Sequence, residues 1–279
     1  MNIGACIDGI EQRASESIKA EQGDYIVDGL LHCGKCNTPK QTRVFIFDKE
    51  RTPMCLCKCA VEKREREEEE RKRIEFEKRV KEYRRIGFPE SEMQNWNFAN
   101  DDGTNEKITT IARNYVDNFP KMQADGKGLL LFGTVGTGKT YIAACIANAL
   151  IDKGYSVLMT NFARIANTVQ GLFEGKQDYY DSLNRFPLLI IDDLSAERKT
   201  EYMQEIVFNV IDSRYRAGLP LIITTNLSSE ELKNPADVTF QRTYSRLLEM
   251  CIPVKVEGKD KRREKLKDSF AEYKNILGM

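Results

Sequence analysis

Gly133-Thr134-Val135-Gly136-Thr137-Gly138-Lys139-Thr140 decides how this chain folds, because of what stands on either side of it. Gly128-Leu129-Leu130-Leu131-Phe132 before it is apolar without interruption and has the length of a buried strand. Residues 141–150 after it carry Ile142, Ile146, Ala149 and Leu150 on one helical face, with Gly154 placed to end the helix. Strand, glycine loop and helix in that order aim free backbone N–H groups and a positive dipole end at one point. Such a point binds polyphosphate. The glycines let the backbone close round phosphate oxygens where a Cβ would collide, Lys139 reaches the β- and γ-phosphates, and Thr140 holds Mg²⁺. The expected phosphate-binding segment runs from Gly133 through Tyr141, and the expected ligand is a nucleoside triphosphate with its magnesium ion.

Roughly fifty residues on, Leu188-Leu189-Ile190-Ile191-Asp192-Asp193 reads as a second buried strand with two carboxylates at its tip. In an open parallel sheet, ligands bind beyond the carboxyl ends of the strands, so this tip belongs beside the glycine loop. Asp192 is expected to hold the magnesium shell and Asp193 to polarise an attacking water. Leu221-Ile222-Ile223-Thr224-Thr225-Asn226 is a third such strand, and Asn226 at its end is placed to bond the γ-phosphate or the water. No Asn-Lys-x-Asp guanine motif follows a strand, which favours adenine and hence ATP. Trp96 and Phe98 are candidates for a wall against the base.

The totals set limits. The 279 residues suffice for one large α/β domain and a smaller piece. Acidic and basic residues balance at 43 each, so a DNA contact has to come from a local patch. No stretch approaches the ~20 apolar residues of a membrane span, no signal-peptide pattern opens the chain, and the expected location is the cytoplasm. Three zones follow: residues 1–60 with most of the eight cysteines, residues 61–90 as a charged linker, and residues 91–279 as the nucleotide-binding domain. In that last zone strands are expected at 128–132, 156–160, 187–192, 220–225 and 251–256. Helices are expected at 142–150, 162–173, 201–216 and 241–249. This alternation makes an α/β fold on a parallel sheet. Residues 61–86 hold no Gly or Pro and carry acid-first i,i+4 pairs such as Glu67/Arg71, Glu68/Lys72 and Glu69/Arg73, which predicts a solvated helix. Phe76, Val80 and Tyr83 give its second half a narrow apolar stripe.

His32-Cys33-Gly34-Lys35-Cys36 and Cys55-Leu56-Cys57-Lys58-Cys59 look like the two halves of a tetrahedral Zn²⁺ site. Five thiols and His32 exceed the four ligands such an ion takes. Cys33 and Cys36 make the firm half, while Cys55, Cys57, Cys59 and His32 compete for the rest. A segment so small needs metal as its main source of stability.

Taken in order, the P-loop, Asp192-Asp193, Thr224-Thr225-Asn226, Arg242-Thr243-Tyr244-Ser245-Arg246-Leu247 and Gly258-Lys259-Asp260-Lys261-Arg262 resemble the AAA+ ATPases. Within them the chain resembles the replicative-helicase loaders of the DnaC/DnaI kind, whose zinc-binding front the cysteines also resemble. The resemblance implies an AAA+ P-loop core with a five-stranded parallel sheet in the order 5-1-4-3-2. It implies that Asn226 is the sensor-1 residue, Arg246 the arginine finger given to a neighbouring subunit, and Arg262 a sensor-2-like arginine. It implies as partners a hexameric replicative helicase of the DnaB type, single-stranded DNA and further copies of the chain. In the family, residues 162–186 form an extra helical element implicated in DNA contact, with Arg164, Lys176, Tyr179 and Tyr180 as its cations and aromatics. Asp193 departs from the Glu that most AAA+ members carry, which fits a slow switch better than a motor. The alternative is an IstB-type transposition helper, whose core is similar but which typically lacks a cysteine cluster; a third reading is an adaptor that binds ATP without turnover.

Overall fold

The computed structural model describes residues 20–46, 49–194, 200–234, 238–261, 273–274 and 276–277, so Arg262 lies outside the described residues. Two compact units divide the chain, residues 1–77 and 78–279. In the first, β1 (Tyr25–Val27) and β2 (Leu30–His32) pair antiparallel. Asp28 and Gly29 join them with φ of 50° and 78°, the two positive angles a type I′ turn needs. β3 (Val44–Ile46) and β4 (Lys49–Arg51) form a second hairpin.

The helix α1 (Lys58–Gly87) starts in the first unit and ends in the second. Its first twenty residues are exposed or half-exposed on every side, so local charge pairs rather than packing hold them helical. Lys72 meets Glu68 at 2.8 Å as the spacing predicted, and Arg73 turns back three residues to Glu70 at 2.7 Å. Toward its end Val80 and Tyr83 pack on the core of the second unit.

The second unit runs α2 (Glu106–Asp117), α3 (Phe119–Ala124), β5 (Gly128–Phe132), α4 (Lys139–Asp152), β6 (Val157–Asn161), α5 (Phe162–Gln170) and α6 (Lys176–Ser182). It continues with β7 (Leu188–Leu194), α7 (Glu201–Arg216), β8 (Leu221–Thr225), α8 (Ser229–Lys233), α9 (Val238–Met250) and β9 (Cys251–Lys255). The five strands β5 to β9 are all parallel in the order β6-β7-β8-β5-β9, which is the expected 5-1-4-3-2 read from the other edge. Their side chains alternate faces. Leu129, Leu131, Leu188, Ile190 and Ile222 point into one core with α2 and α4. Leu130, Leu189, Ile191, Leu221 and Ile223 point into the other with α5, α6, α7 and α9. Both faces being covered, the strands read as unbroken apolar runs rather than as alternation.

The helix after the P-loop departs from the one-faced pattern expected of it. Ala143, Ala144, Cys145 and Ala147 are as buried as Ile142 and Ile146, because α2 and two 3-10 turns, Ser91–Asn95 and Phe98–Asn100, cover its outer side. Asn148 fastens that cover, its Nδ2 donating to the carbonyls of Met93 and Trp96 at 2.8 Å each. Gly154, with φ of 87°, ends the helix in a Schellman arrangement: its N–H donates to Ile151 O and that of Tyr155 to Leu150 O. No helix among the described residues is long and apolar enough to cross a membrane.

Candidate nucleotide site and metal centre

The sheet brings the sequence-predicted nucleotide residues to one end. Gly133 follows β5 immediately and lies so close to β9 that a Cβ there would stand 2.2 Å from Val256 O. Gly138, with φ of 92°, sits at the N-terminus of α4 and turns the loop into the helix. Lys139 is 7% exposed and folds over its own loop, donating to Gly133 O at 2.9 Å and Thr134 O at 2.7 Å. Thr137 ties the loop internally through Thr134 O at 2.9 Å. A strap from the chain's C-terminal side crosses the loop: the Lys261 N–H donates to Gly136 O at 3.0 Å, and Lys261 Nζ reaches Asp102 at 2.8 Å. Tyr141 at the loop's end packs against Trp96 with ring centres 5.6 Å apart, and its hydroxyl donates to Asn97 O at 2.8 Å.

Asp192 follows the four buried apolar residues that open β7. Its Oδ1 accepts from Thr140 Oγ1 at 2.9 Å and from Thr224 Oγ1 at 2.6 Å, joining the tips of α4, β7 and β8. Burial pushes its pKa above the usual carboxylate value, against the pull of the two threonine hydroxyls. At the next residue the strand bulges. The β7–β8 register shifts between Ile191 and Leu194, and Asp193 takes a left-handed backbone with φ of 57°. The Asp193 N–H donates to Thr224 Oγ1 at 2.8 Å, and Asn226 Nδ2 donates to Asp193 Oδ1 at 3.3 Å. Thr224 thus accepts from one aspartate's amide and donates to the other's carboxylate, a role the sequence reading did not give it. Its signal was its place in Thr-Thr-Asn, on the strand between the P-loop strand and β7.

Arg246 stands elsewhere. Its Nη1 bonds Asp212 Oδ1, and its Cζ lies 5.3 Å from the Phe208 ring centre and 5.5 Å from that of Tyr215. All three partners are on α7. The last turn of α7 is fixed by the fully buried Arg214, which bonds Pro187 O at 3.0 Å and Pro220 O at 2.9 Å. Those carbonyls directly precede β7 and β8, so this end of α7 lies at the amino-terminal ends of the strands, opposite the end that carries Asp192. Of the aromatics expected in residues 162–186, Tyr180 is a correction: it is 4% exposed and packs in the second core, so it offers no stacking face. Phe173, in the loop between α5 and α6, is fully exposed instead.

In the first unit, Cys33, Cys36, Cys57 and Cys59 bring their sulfurs within 4.8 Å of one another. Cys33 Sγ and Cys59 Sγ are 3.6 Å apart, and Cys57 Sγ and Cys59 Sγ 3.4 Å. Tetrahedral thiolates at the Zn–S length of about 2.3 Å are roughly 3.8 Å apart, so the donor set fits Zn²⁺. Cys55 and His32 stand outside this set. Cys55 Sγ points to Pro39 O at 3.6 Å, and His32 stacks on Tyr25 with Nδ1 at 3.0 Å from Leu30 O. The hydroxyl of Thr38 and the Cys59 backbone lower the Cys36 thiol to about 5, while its thiol neighbours, Cys57 first, push Cys59 to about 12. Four touching thiols cannot all ionise without a cation among them. Beneath them Lys40 and Asp24 form an almost wholly buried ion pair at 2.6 Å, and Asp24 also accepts the Gly34 N–H at 3.1 Å. That pair pins the Cys33–Cys36 turn from behind, and sequence reasoning missed it.

Comparison with known proteins places these features. The chain is 31% identical over 151 residues to the replicative helicase loader DnaI of Bacillus subtilis (strain 168), covering 49% of this chain and 48% of that one. It is 30% identical over 127 residues to the replicative helicase loader DnaC of Escherichia coli (strain K12), covering 43% and 50%. The chain thus spans about half the length of the curated relatives it matches. A crystal structure of DnaI superposes with a TM-score of 0.51 at 25% identity, covering 64% of this chain and 98% of that one. The family described as IstB-like ATP binding protein matches residues 61–269, which is the linker helix and nearly all of the P-loop domain. With that match and the AAA+ strand order, the chain belongs to the IstB-like ATP-binding family of P-loop ATPases.

Proposed function

We propose that this chain is an ATP-driven loader that sets a hexameric replicative helicase on single-stranded DNA. One observation carries the reading: the P-loop, Asp192, Thr224 and Asn226 meet at one end of an AAA+ sheet, in a chain that also holds a four-thiol module. The curated relatives named as helicase loaders support it. The insertion-sequence helper reading leaves the thiol module without a purpose.

In this reading Lys139 exchanges two loop carbonyls for β- and γ-phosphate oxygens, and Thr140 with Asp192 holds Mg²⁺. Asp193 takes the proton side of the attacking water, with Asn226 fixing its carboxylate. Trp96 and Tyr141 border the base. Bound Mg²⁺-ATP supplies the phosphoanhydride bond that is broken. Arg246 serves the site of a neighbouring copy, where a trans arginine is worth ~10³–10⁵ in rate. Arg262 is assigned to the γ-phosphate on resemblance alone. Cys33, Cys36, Cys57 and Cys59 hold Zn²⁺ with no open position, which suits docking on the helicase rather than chemistry. Phe173, with Lys176 and Arg164, gives the DNA a stacking face and cations.

The test is copurification of the full chain with a hexameric replicative helicase, with and without ATP, followed by phosphate release on single-stranded DNA. Retention of the helicase that depends on nucleotide is the expected result. Capture of a transposase instead, or no helicase in any nucleotide state, overturns the loader. Helicase capture with no phosphate released under any condition leaves the adaptor reading in its place.

A further inference from the structure

We infer that Asp212 is the positioning residue for Arg246, holding its guanidinium in place on the face of α9 that Gln241, Arg242, Ser245 and Arg246 line. This rests on the assignment of Arg246 to a neighbour's site. An arginine side chain has a large rotamer entropy, and a cation that must find its pose at every encounter loses much of its value to that search. Here the search is already over. Phe208, Asp212 and Tyr215 recur on α7 at spacings of four and three, so they share one face, and Arg246 lies on that face. The two rings flank the guanidinium and the carboxylate takes Nη1.

Asp212 is itself held. It is 8% exposed, and its second oxygen accepts from Arg216 Nε at 2.8 Å. A guanidinium has five N–H donors in a rigid fork, so the contact through Nη1 leaves most of them for a phosphate. The Arg246 side chain keeps 31% of its surface accessible, and it opens on a shallow, solvent-facing concavity that it lines with Gln241, Ser245 and a second cation, Arg242. A carboxylate that merely cemented α7 to α9 would not need to hold its arginine at the wall of such a concavity. A phosphate delivered by another chain, the ligand of that assignment, would meet there a guanidinium already in its pose.

The experiment measures ATP binding and turnover on full-length chains, singly and mixed. Asp212→Asn should bind ATP as the unaltered chain does, since its own P-loop is at the other end of the sheet, while turnover falls ten- to a hundredfold. Mixed with Lys139→Ala chains, which bring a sound Asp212–Arg246 pair but no working nucleotide site, Asp212→Asn chains should regain turnover. Arg246→Ala should behave the same way with a deeper loss. Full turnover by Asp212→Asn overturns the inference while leaving Arg246 its role. So does failure of the rescue when Arg246→Ala is rescued, because damage confined to the fold cannot be made good from a second chain. Full turnover by Arg246→Ala overturns the arginine assignment itself. Should Asn at 212 cost the fold, seen as lost ATP binding, Asp212→Glu carries the test: its longer side chain should give partial turnover that Lys139→Ala chains raise, and full turnover without them overturns the positioning role.

Discussion

At Asp193 the backbone turns left-handed, with φ of 57°, a conformation unusual for a residue with a Cβ and best tolerated by Asp and Asn. The Thr224 hydroxyl holds it there by accepting the Asp193 N–H. The bulge turns a strand whose side chains should alternate into one that presents two consecutive carboxylates near one site, and their surroundings differ. The Asp192 carboxylate is deep and bonded twice; that of Asp193 is exposed and accepts from Asn226. Asp193→Asn suits the same backbone, so it should keep Mg²⁺-ATP binding while slowing turnover by ~10²–10⁴, the usual worth of a general base. Single-turnover phosphate release checks this. For Asp192 the sign of the pH effect follows from burial. Its folded pKa is raised, so the folded chain takes up the proton more readily than the unfolded one, and its contribution to stability is lost as pH rises through that value. Asp192→Asn should therefore raise the melting temperature of the nucleotide-free chain at neutral pH while weakening magnesium-dependent ATP binding at least about tenfold. In the unaltered chain, that magnesium dependence should fade on acidification at a higher pH than an ordinary aspartate would give. Arg214 is the purely structural counterpart. Buried with no carboxylate partner among the described residues, it spends its donors on the carbonyls of Pro220, Pro187 and Leu183. Each orphaned buried carbonyl costs on the order of 1–3 kcal/mol, so Arg214→Leu should lose about 3 kcal/mol or more in urea unfolding.

Among the elements, the thiol module yields the clearest separation of residues that sequence left tied. Cys55→Ser should retain one zinc per chain, and Cys57→Ser should lose it, because only Cys57 shares the four-sulfur cluster. Metal analysis after desalting reads this directly. Chelation should unfold the two hairpins without touching ATP binding, since so small a core has little else to hold it. The periodic elements were legible: five strands, the P-loop helix and the charged helix each announced themselves by an apolar run, a glycine motif or i,i+4 charges. Other elements leave a fainter trace. The β1–β2 hairpin is three residues a side, too short for any period, though Asp28-Gly29 is a strong turn signal. The helix α2 carries Ile108, Ala112, Tyr115 and Val116 at helical spacing, an apolar stripe with no chemical motif attached to it. The alanine-rich outer side of α4 is buried because α2 lies over it, which a one-faced helical pattern in α4 alone does not reveal. The choice among Cys55, Cys57, Cys59 and His32 lay beyond sequence, since it depends on where the second hairpin turns the chain back on the first.

On the scale of the whole molecule, one sheet separates the parts that hydrolysis has to bring together. The P-loop and Asp192 are at the carboxyl ends of β5 and β7. Arg246 is fastened to Asp212, eleven residues along α7 from Glu201 and about 16 Å down its axis at 1.5 Å per residue. The anchorage of Arg214 on the carbonyls before β7 and β8 puts that end of α7 at the amino-terminal ends of the strands, away from the nucleotide. A side chain of arginine's length, already tied to Asp212, cannot span the sheet to serve its own nucleotide. If Arg246 stabilises the transition state, it does so for another copy, and the rate per chain must then depend on concentration. Turnover should rise steeply as the chain is concentrated, level off when every site has a neighbour, and fall toward the slow rate of an isolated P-loop on dilution. ATP binding, which needs only one chain, should show no such dependence. Adding Lys139→Ala chains to a dilute solution should raise turnover, since each brings an arginine and competes for no nucleotide. A rate per chain that stays level across a hundredfold dilution, with ATP binding intact, would return Arg246 to the role of a brace between α7 and α9.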